Sequence, residues 1–251
     1  MGKKQGSLPA SPLAGMVPTM NNTGWMIETP DRVSMAFADY AGAIDDEVLD
    51  IGCAYGVATL HALERGARVL ACDIEQKHLD VLQQRVPEAA RARVRTQVAV
   101  LPAVDFESNR FAAVLASRVL HFLSPSDVRQ TIVKAYDWLR PGGRLFLVAD
   151  SPFSGPWKAK ASEYEQRKAA GEDWPGHFDD YAKFLRPGSD PTEHPSFINV
   201  MDPDVLEREC RAVGFDILEA SWLRSGVEWG TERDHAGLIA EKPLAHAVRV
   251  R

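Results

Sequence analysis

Apolar positions along the chain alternate between two rhythms. VLDIG (48–52) and RVLACD (68–73) are short, nearly continuous apolar runs, the pattern of strands buried on both faces. VRTQVAV (94–100), FAAVLAS (111–117) and RLFLVAD (144–150) read as three more strands. Between them the spacing becomes helical: Val57, Leu60 and Leu63 run up to Gly66, and Leu79, Leu82 and Val86 follow the second strand. Ser124-Pro125-Ser126-Asp127 then caps a stripe of Val128, Ile132, Tyr136 and Leu139 that Pro141-Gly142-Gly143 ends. From about Trp25 to Tyr40 an earlier stretch is helix-compatible: Thr29-Pro30-Asp31 offers a cap followed by Pro in the first turn, and Val33, Ala36 and Phe37 share one face. These alternations predict an α/β fold: an open, doubly wound parallel sheet with helices on both faces.

Residues 151–201 break the rhythm. Pro and Gly recur through them and leave room for two helices, near 157–170 and 177–185. The pattern resumes at Asp202-Pro203-Asp204, a cap with Pro in the first turn, followed by Val205, Leu206, Cys210 and Val213 up to Gly214. FDILEASWL (215–223) and AGLIAEK (236–242) are successive strands without a helix between them, so they should pair antiparallel. The expectation is a mostly parallel seven-stranded sheet with an antiparallel C-terminal hairpin. Residues 21–251 form one domain, 151–201 are an inserted helical cap, and 1–20, which lack periodicity, are a mobile leader.

Composition narrows the function classes. Lys and Arg total 29 against 35 Asp and Glu, a net charge of −6 that disfavours generic binding to nucleic acid or anionic membranes. Cys53, Cys72 and Cys210 are widely spaced and match neither a zinc site nor a disulfide framework. No apolar run approaches the roughly 18 residues of a membrane span. The N-terminus lacks the apolar core of a secretory signal, and Gly6 stands where a myristoylation site has Ser or Thr. A cytoplasmic location is expected, with no nucleic-acid or membrane partner; oligomeric state stays open.

Open α/β sheets bind ligands beyond the carboxyl ends of their strands, where strand order reverses. Here that place is the loop GCAYG (52–56), with Asp50 before it and Asp73 ending the second strand. Gly52 permits a tight turn and Gly56 a close helix start, while the distance to Asp73 suits an acid holding ribose hydroxyls. GCAYGV lacks the second and third glycines of a dinucleotide fingerprint. Asp50 would also repel a pyrophosphate but welcome an ammonium group, so a nucleoside with a cationic tail fits better than NAD.

VLDIGCAYGVATL, VLACDIE (69–75), FAAVLASRVLHFL (111–123) and LRPGGRLFLVAD (139–150) together resemble, in order and spacing, the motifs of the class I S-adenosylmethionine (SAM)-dependent methyltransferases, which are Rossmann-like. Ala54 stands where their middle Gly is commoner. Ala112 replaces the usual Asp of the fourth strand, and QVAVL (97–101) lacks an adenine-binding acid. The resemblance implies SAM as cofactor and S-adenosylhomocysteine (SAH) as product. It implies that Asp50 and the backbone of Gly52, Cys53, Ala54 and Gly56 approach the methionine part. Asp73 accepts from the ribose, Ile74 packs on adenine, backbone near Leu101 reads the adenine edge, and Ser117 and Arg118 line the floor near the sulfonium.

In such a reaction the cofactor supplies the activated methyl group, and the protein supplies binding and in-line alignment. A general base is needed only for an acceptor that must lose a proton. His121, after the fourth strand, and His177, in the cap, are the candidates; His61, His78 and His246 read as surface residues, and His194 and His235 as loop residues. The aromatic residues Trp157, Tyr164, Trp174, Phe178 and Tyr181, with Trp25 from the N-terminal side, are the candidate walls of a pocket for an apolar or planar small molecule. The competing reading is that they only pack the cap onto the body. Asp150 alone ends the fifth strand, so no metal site is expected. A non-catalytic SAM or SAH binder, and a methyltransferase acting on protein, are the alternatives.

Overall fold

The β-branched and aliphatic runs form strands and the amphipathic stretches cover them. The computed structural model describes residues 8–21, 24–179, 196–228 and 230–244. In chain order its elements are β1 (Met16–Pro18), β2 (Trp25–Ile27), α1 (Arg32–Gly42), β3 (Glu47–Ile51), α2 (Val57–Glu64), β4 (Arg68–Asp73), α3 (Gln76–Arg85), β5 (Val94–Val98) and β6 (Phe111–Ser117). There follow α4 (Pro125–Trp138), β7 (Leu139–Asp150), α5 (Ala161–Ala169), β8 (His177–Phe178), β9 (Ile198–Asn199), α6 (Pro203–Val213), β10 (Asp216–Leu223) and β11 (His235–Glu241).

The main sheet has seven strands in the order β10-β11-β7-β6-β3-β4-β5. β3 through β7 are mutually parallel, whereas β11 runs antiparallel to both β7 and β10. Strand order reverses at β3, which lies between β4 and β6. Side-chain alternation divides the core. On β6, Val114 and Ala116 join α4 and α6 through Val128, Ile132, Trp138, Leu206 and Cys210. Ala113 and Leu115 face the other way, toward Phe37 of α1, Ala62 of α2 and Leu82 of α3.

Ser124 and Asp202 cap α4 and α6 where the sequence places them, and Gly214 closes α6 in the left-handed region. α1 starts two residues later than the Thr29-Pro30 signal, with Asp31 accepting from Ser34 N as its cap and Pro30 outside the helix. Three further expectations need correction. Residues 16–18 are not leader: β1 pairs with β2, and Val17 is buried against Met26 and Tyr55. Three-residue strands are too short to show a period, so this packing left no trace in the pattern. β7 starts at Leu139 and not at Arg144, so Pro141-Gly142-Gly143 lies within the strand: Gly142 N donates to Lys242 O and Lys242 N to Gly143 O, just past β11. In the cap, α5 lies within the stretch expected to be helical, but His177 and Phe178 form a strand paired with β9 instead of opening a helix. The rest of that second expected helix, with Tyr181, lies outside the described residues.

Candidate functional site

The loop after β3 has its intended geometry. Gly52 N and Cys53 N both donate to Cys72 O, at 2.8 and 2.9 Å, tying the loop to the end of β4. Gly52 has φ +77°, and a Cβ there would lie 2.9 Å from Val119 Cβ. Gly56, also at φ +77°, starts α2, and a Cβ would come within 2.3 Å of Leu82 Cδ1. Ala54 is left-handed too, at φ +46°, a conformation that costs an ordinary residue roughly 1–2 kcal/mol. Asp73 braces it, since Ala54 N donates to Asp73 Oδ2 at 2.8 Å. Cys53 is buried.

Asp50 is buried beneath this loop and accepts from Thr59 Oγ1 at 2.6 Å. Burial raises its pKa from 3.8 to about 6; the Thr59 hydrogen bond pulls the other way, and the negative Asp73 adds to the rise. A cationic group arriving at Asp50 would meet a carboxylate that is in no ion pair among the described residues.

Asp73 is more heavily engaged than its motif implies. Oδ1 accepts from Glu75 N and faces His78 Nδ1, both at 2.9 Å, while Oδ2 accepts from Ala54 N. A carboxylate has about four acceptor positions, so one remains on Oδ2 for a ribose hydroxyl. His78 is buried, not a surface residue; its i, i+4 spacing to Leu82 puts it on the buried stripe of α3. Met20 N donates to His78 Nε2 at 2.9 Å, which assigns the ring proton to Nδ1 and directs it at Asp73. Tyr55 Oη donates to Pro18 O at 2.8 Å. The segment before β2 is thereby fastened to both the loop and the ribose acid.

Beyond β4 and β5 the surface turns apolar. Ile74 is 57% exposed, Val98 45% and Val100 44%, next to the partly buried Leu101. Exposed aliphatic side chains grouped at the carboxyl ends of two adjacent strands suit the faces of a planar ring. At the end of β6, Ser117 Oγ lies 3.3 Å from Ser34 Oγ, and Arg118 Nη2 donates to Asp31 Oδ2 at 2.8 Å. Arg118 therefore anchors the start of α1, and its charge is matched. This donor set, flanked by two carboxylates and floored by small residues, fits a nucleoside with an ammonium-bearing tail.

A second polar cluster ends β7. Asp150 Oδ2 accepts from Trp157 Nε1 at 3.1 Å and lies 3.9 Å from His121 Nε2, while Oδ1 is 3.2 Å from His235 Nδ1. Burial alone would raise the Asp150 pKa, but His121, His235 and Trp157 outweigh it and hold the carboxyl well below its ordinary range. His121 is buried, and desolvation lowers its pKa despite the attraction of Asp150. Asp150 N donates to His121 Nδ1 at 3.2 Å, so the single lone pair of the neutral ring is occupied. His235 is a buried strand residue and not a loop residue, because it pairs in register with Asp150 and Leu223. Sequence reasoning missed it; the apolar alternation of β11 beginning one residue later was the available signal.

The cap aromatics pack largely on each other. Trp157, Tyr164 and Phe178 are buried with Ile198, Val200 and Phe122. Trp174 sits in the main core beside Met201 and Leu206, with Arg129 and Arg208 over its ring, so it supports the fold. His177 is partly exposed beside Phe197, with Nε2 3.3 Å from Asp179. Trp25 is half-buried in β2, opposite Pro18. Among the described residues no group of three or more His, Cys, Asp and Glu side chains is arranged to hold a metal ion, and no helix is long and apolar enough to cross a membrane.

Residues 48–143 match a family model described as a methyltransferase domain. A ubiquinone biosynthesis O-methyltransferase from Leptothrix cholodnii is 27% identical over 175 residues, 68% of this chain and 64% of that protein. A carboxy-S-adenosyl-L-methionine synthase from Yersinia enterocolitica is 25% identical over 135 residues, 47% of this chain and 50% of that protein. The matches thus span half to just under two thirds of these relatives. Among solved structures, a SAM-dependent methyltransferase from Methanosarcina mazei superposes with a TM-score of 0.59 at 20% identity, covering 80% of this chain and 93% of that one. The sheet order, the left-handed loop after β3 with its two flanking carboxylates, and the matched region agree: residues 48–143 carry a methyltransferase domain, in a fold shared with SAM-dependent methyltransferases.

Proposed function

We propose that the protein transfers a methyl group from SAM to a small-molecule acceptor by in-line displacement, releasing SAH. The observation that carries this reading is the placement of Asp50 and Asp73 on either side of the side-chain-poor loop 52–56, beside the exposed Ile74, Val98 and Val100. Asp50 takes the ammonium group, and the loop backbone follows the methionine chain. The remaining acceptor position of Asp73 takes one ribose hydroxyl, Ile74 and its aliphatic neighbours cover adenine, and backbone at Leu101 meets the adenine edge. Ser117 and the paired Arg118 form the floor below the reacting centre. When bound, the sulfonium supplies an already activated methyl group.

Support for a small acceptor comes from the absence of a strong positive charge and from the aromatic cap, whose Trp157 reaches the cluster at the end of β7. Trp25, Tyr164, Phe178 and, outside the described residues, Tyr181 are the remaining candidates for the acceptor's surroundings, with His177 at the rim. The close packing of Trp157, Tyr164 and Phe178 favours a second reading, a non-catalytic SAM or SAH binder with a closed cap. Calorimetric titration with SAM tests the common part: binding by the intact chain, much weakened in Asp73→Ala, is expected. No binding, or undiminished binding in the variant, refutes the site. Transfer of labelled methyl to any low-molecular-weight acceptor rejects the closed-cap reading.

A further inference from the structure

Asp150 and His235 occupy the same end of the sheet as the loop 52–56. Asp150 ends β7 and His235 begins the antiparallel β11, so both stand at the carboxyl ends of the parallel strands, one and two strands beyond β6. Among the described residues His235 is 3% exposed and neither of its ring nitrogens makes a hydrogen bond of good geometry. A buried ring nitrogen left unpaired is costly and rare, and at a ligand-binding edge it points to a group that is absent. Of the two, Nδ1 is 3.2 Å from Asp150 Oδ1, close enough to pair although bent from a linear hydrogen bond.

The surrounding charges leave that pairing uncontested. Trp157 Nε1 occupies the other Asp150 oxygen, from the short helical turn before α5. His121, from the turn after β6, has its lone pair on Asp150 N and so turns Nε2–H toward Asp150, which rules it out as the base. Arg118, beyond the end of β6, is held by Asp31. In the loop preceding β11, Asp234 accepts from the backbone and hydroxyl groups of both Ser225 and Thr231, which fixes that loop and keeps Asp234 engaged away from His235. Arg233 is stacked on Phe153 and Trp222.

We infer that Asp150 and His235 form a catalytic dyad, with His235 Nε2 the general base that takes the proton of a hydroxyl acceptor, most simply a phenol. This rests on the methyl-transfer reading above. Asp150 holds the ring with its proton on Nδ1, and Nε2 accepts the hydroxyl proton as the O–H bond breaks. The oxygen's electron pair forms the O–CH₃ bond while the CH₃–S bond breaks and leaves its pair on sulfur. The imidazolium that results is balanced by the Asp150 carboxylate and later gives its proton to water. His121 is a positioning residue that orients Asp150, not the base.

Two measurements test the dyad. Nitrogen-15 NMR of the histidine-labelled full chain with SAH should show His235 protonated at Nδ1 and bare at Nε2, and Asp150→Asn should shift that ring toward the other tautomer. Second, His235→Gln is compared with wild type using labelled SAM and two probes at pH 8: phenol, which must be deprotonated, and 4-nitrophenol, which is already largely ionised. Loss of the base should lower kcat for phenol by about 10²–10⁴-fold, far less for 4-nitrophenol, and leave SAM affinity within about threefold. An Nε2–H tautomer, an equal loss for both probes, or methyl transfer by the wild-type chain to neither probe overturns the inference. Absence of SAM binding by the wild-type chain instead sinks the parent reading.

Discussion

Replacing Asp50 by Asn isolates the cost of keeping a carboxylate ionised under the loop 52–56. The folded pKa of about 6 lies above the ordinary 3.8, so the protonated form is favoured by folding. The contribution to stability is therefore fully present below pH 3.8 and is lost as pH rises through about 6, a total of about 3 kcal/mol. Asn cannot titrate, so its stability relative to wild type changes only because wild type changes. Between pH 5 and pH 8 the wild type should lose about 1.4 kcal/mol relative to Asp50→Asn. Any constant cost of the extra amide N–H group drops out of that difference. Urea unfolding of the two proteins without ligand, across this range, measures it. The same proton must leave before an ammonium group can pair, so SAM should bind wild type about tenfold more weakly at pH 5 than at pH 7. A stability difference that is flat with pH, or that favours wild type as pH rises, refutes the reasoning; so does pH-independent SAM binding.

Gly56→Ala places a methyl group against Leu82 at a left-handed position, and should destabilise the chain by about 2 kcal/mol or more in urea unfolding while weakening SAM binding; a neutral substitution would mean that α2 starts differently. His78→Leu removes the acceptor of Met20 N and one partner of Asp73, so limited proteolysis should cut within residues 8–21 faster while the main sheet still unfolds cooperatively; an unchanged cleavage rate counts against the tether. Trp174→Ala should cost about 3–5 kcal/mol because the ring fills the main core, and an effect confined to acceptor KM, with stability intact, would return Trp174 to the cleft.

The site's first half is legible in the chain because its chemistry is local. Asp50, Gly52 and Gly56 are neighbours in sequence, and backbone angles and a missing Cβ are properties of single positions. Asp73 is likewise recognisable as the end of a strand. Its surroundings are not: the lone pairs taken by Ala54, Glu75 and His78 depend on how α3 and the segment before β2 fold back over it. The second half combines residues from distant parts of the chain. Asp150 and His235 are 85 positions apart and meet only because β11 pairs antiparallel with β7.

Period and punctuation in the sequence determine the doubly wound plan, since alternating apolar runs and capped helical stripes have few ways to bury themselves together. They also determine the helix starts at Ser124 and Asp202, which depend on one side chain and a nearby N–H. Tertiary structure alone decided that residues 16–18 pair with 25–27, that Trp174 belongs to the core, and that Asp150 N occupies the lone pair of His121 while His235 Nε2 is left without a partner. Each of those outcomes depends on which polar atom lies within hydrogen-bonding reach of another after long-range closure, and a one-dimensional pattern does not contain that distance.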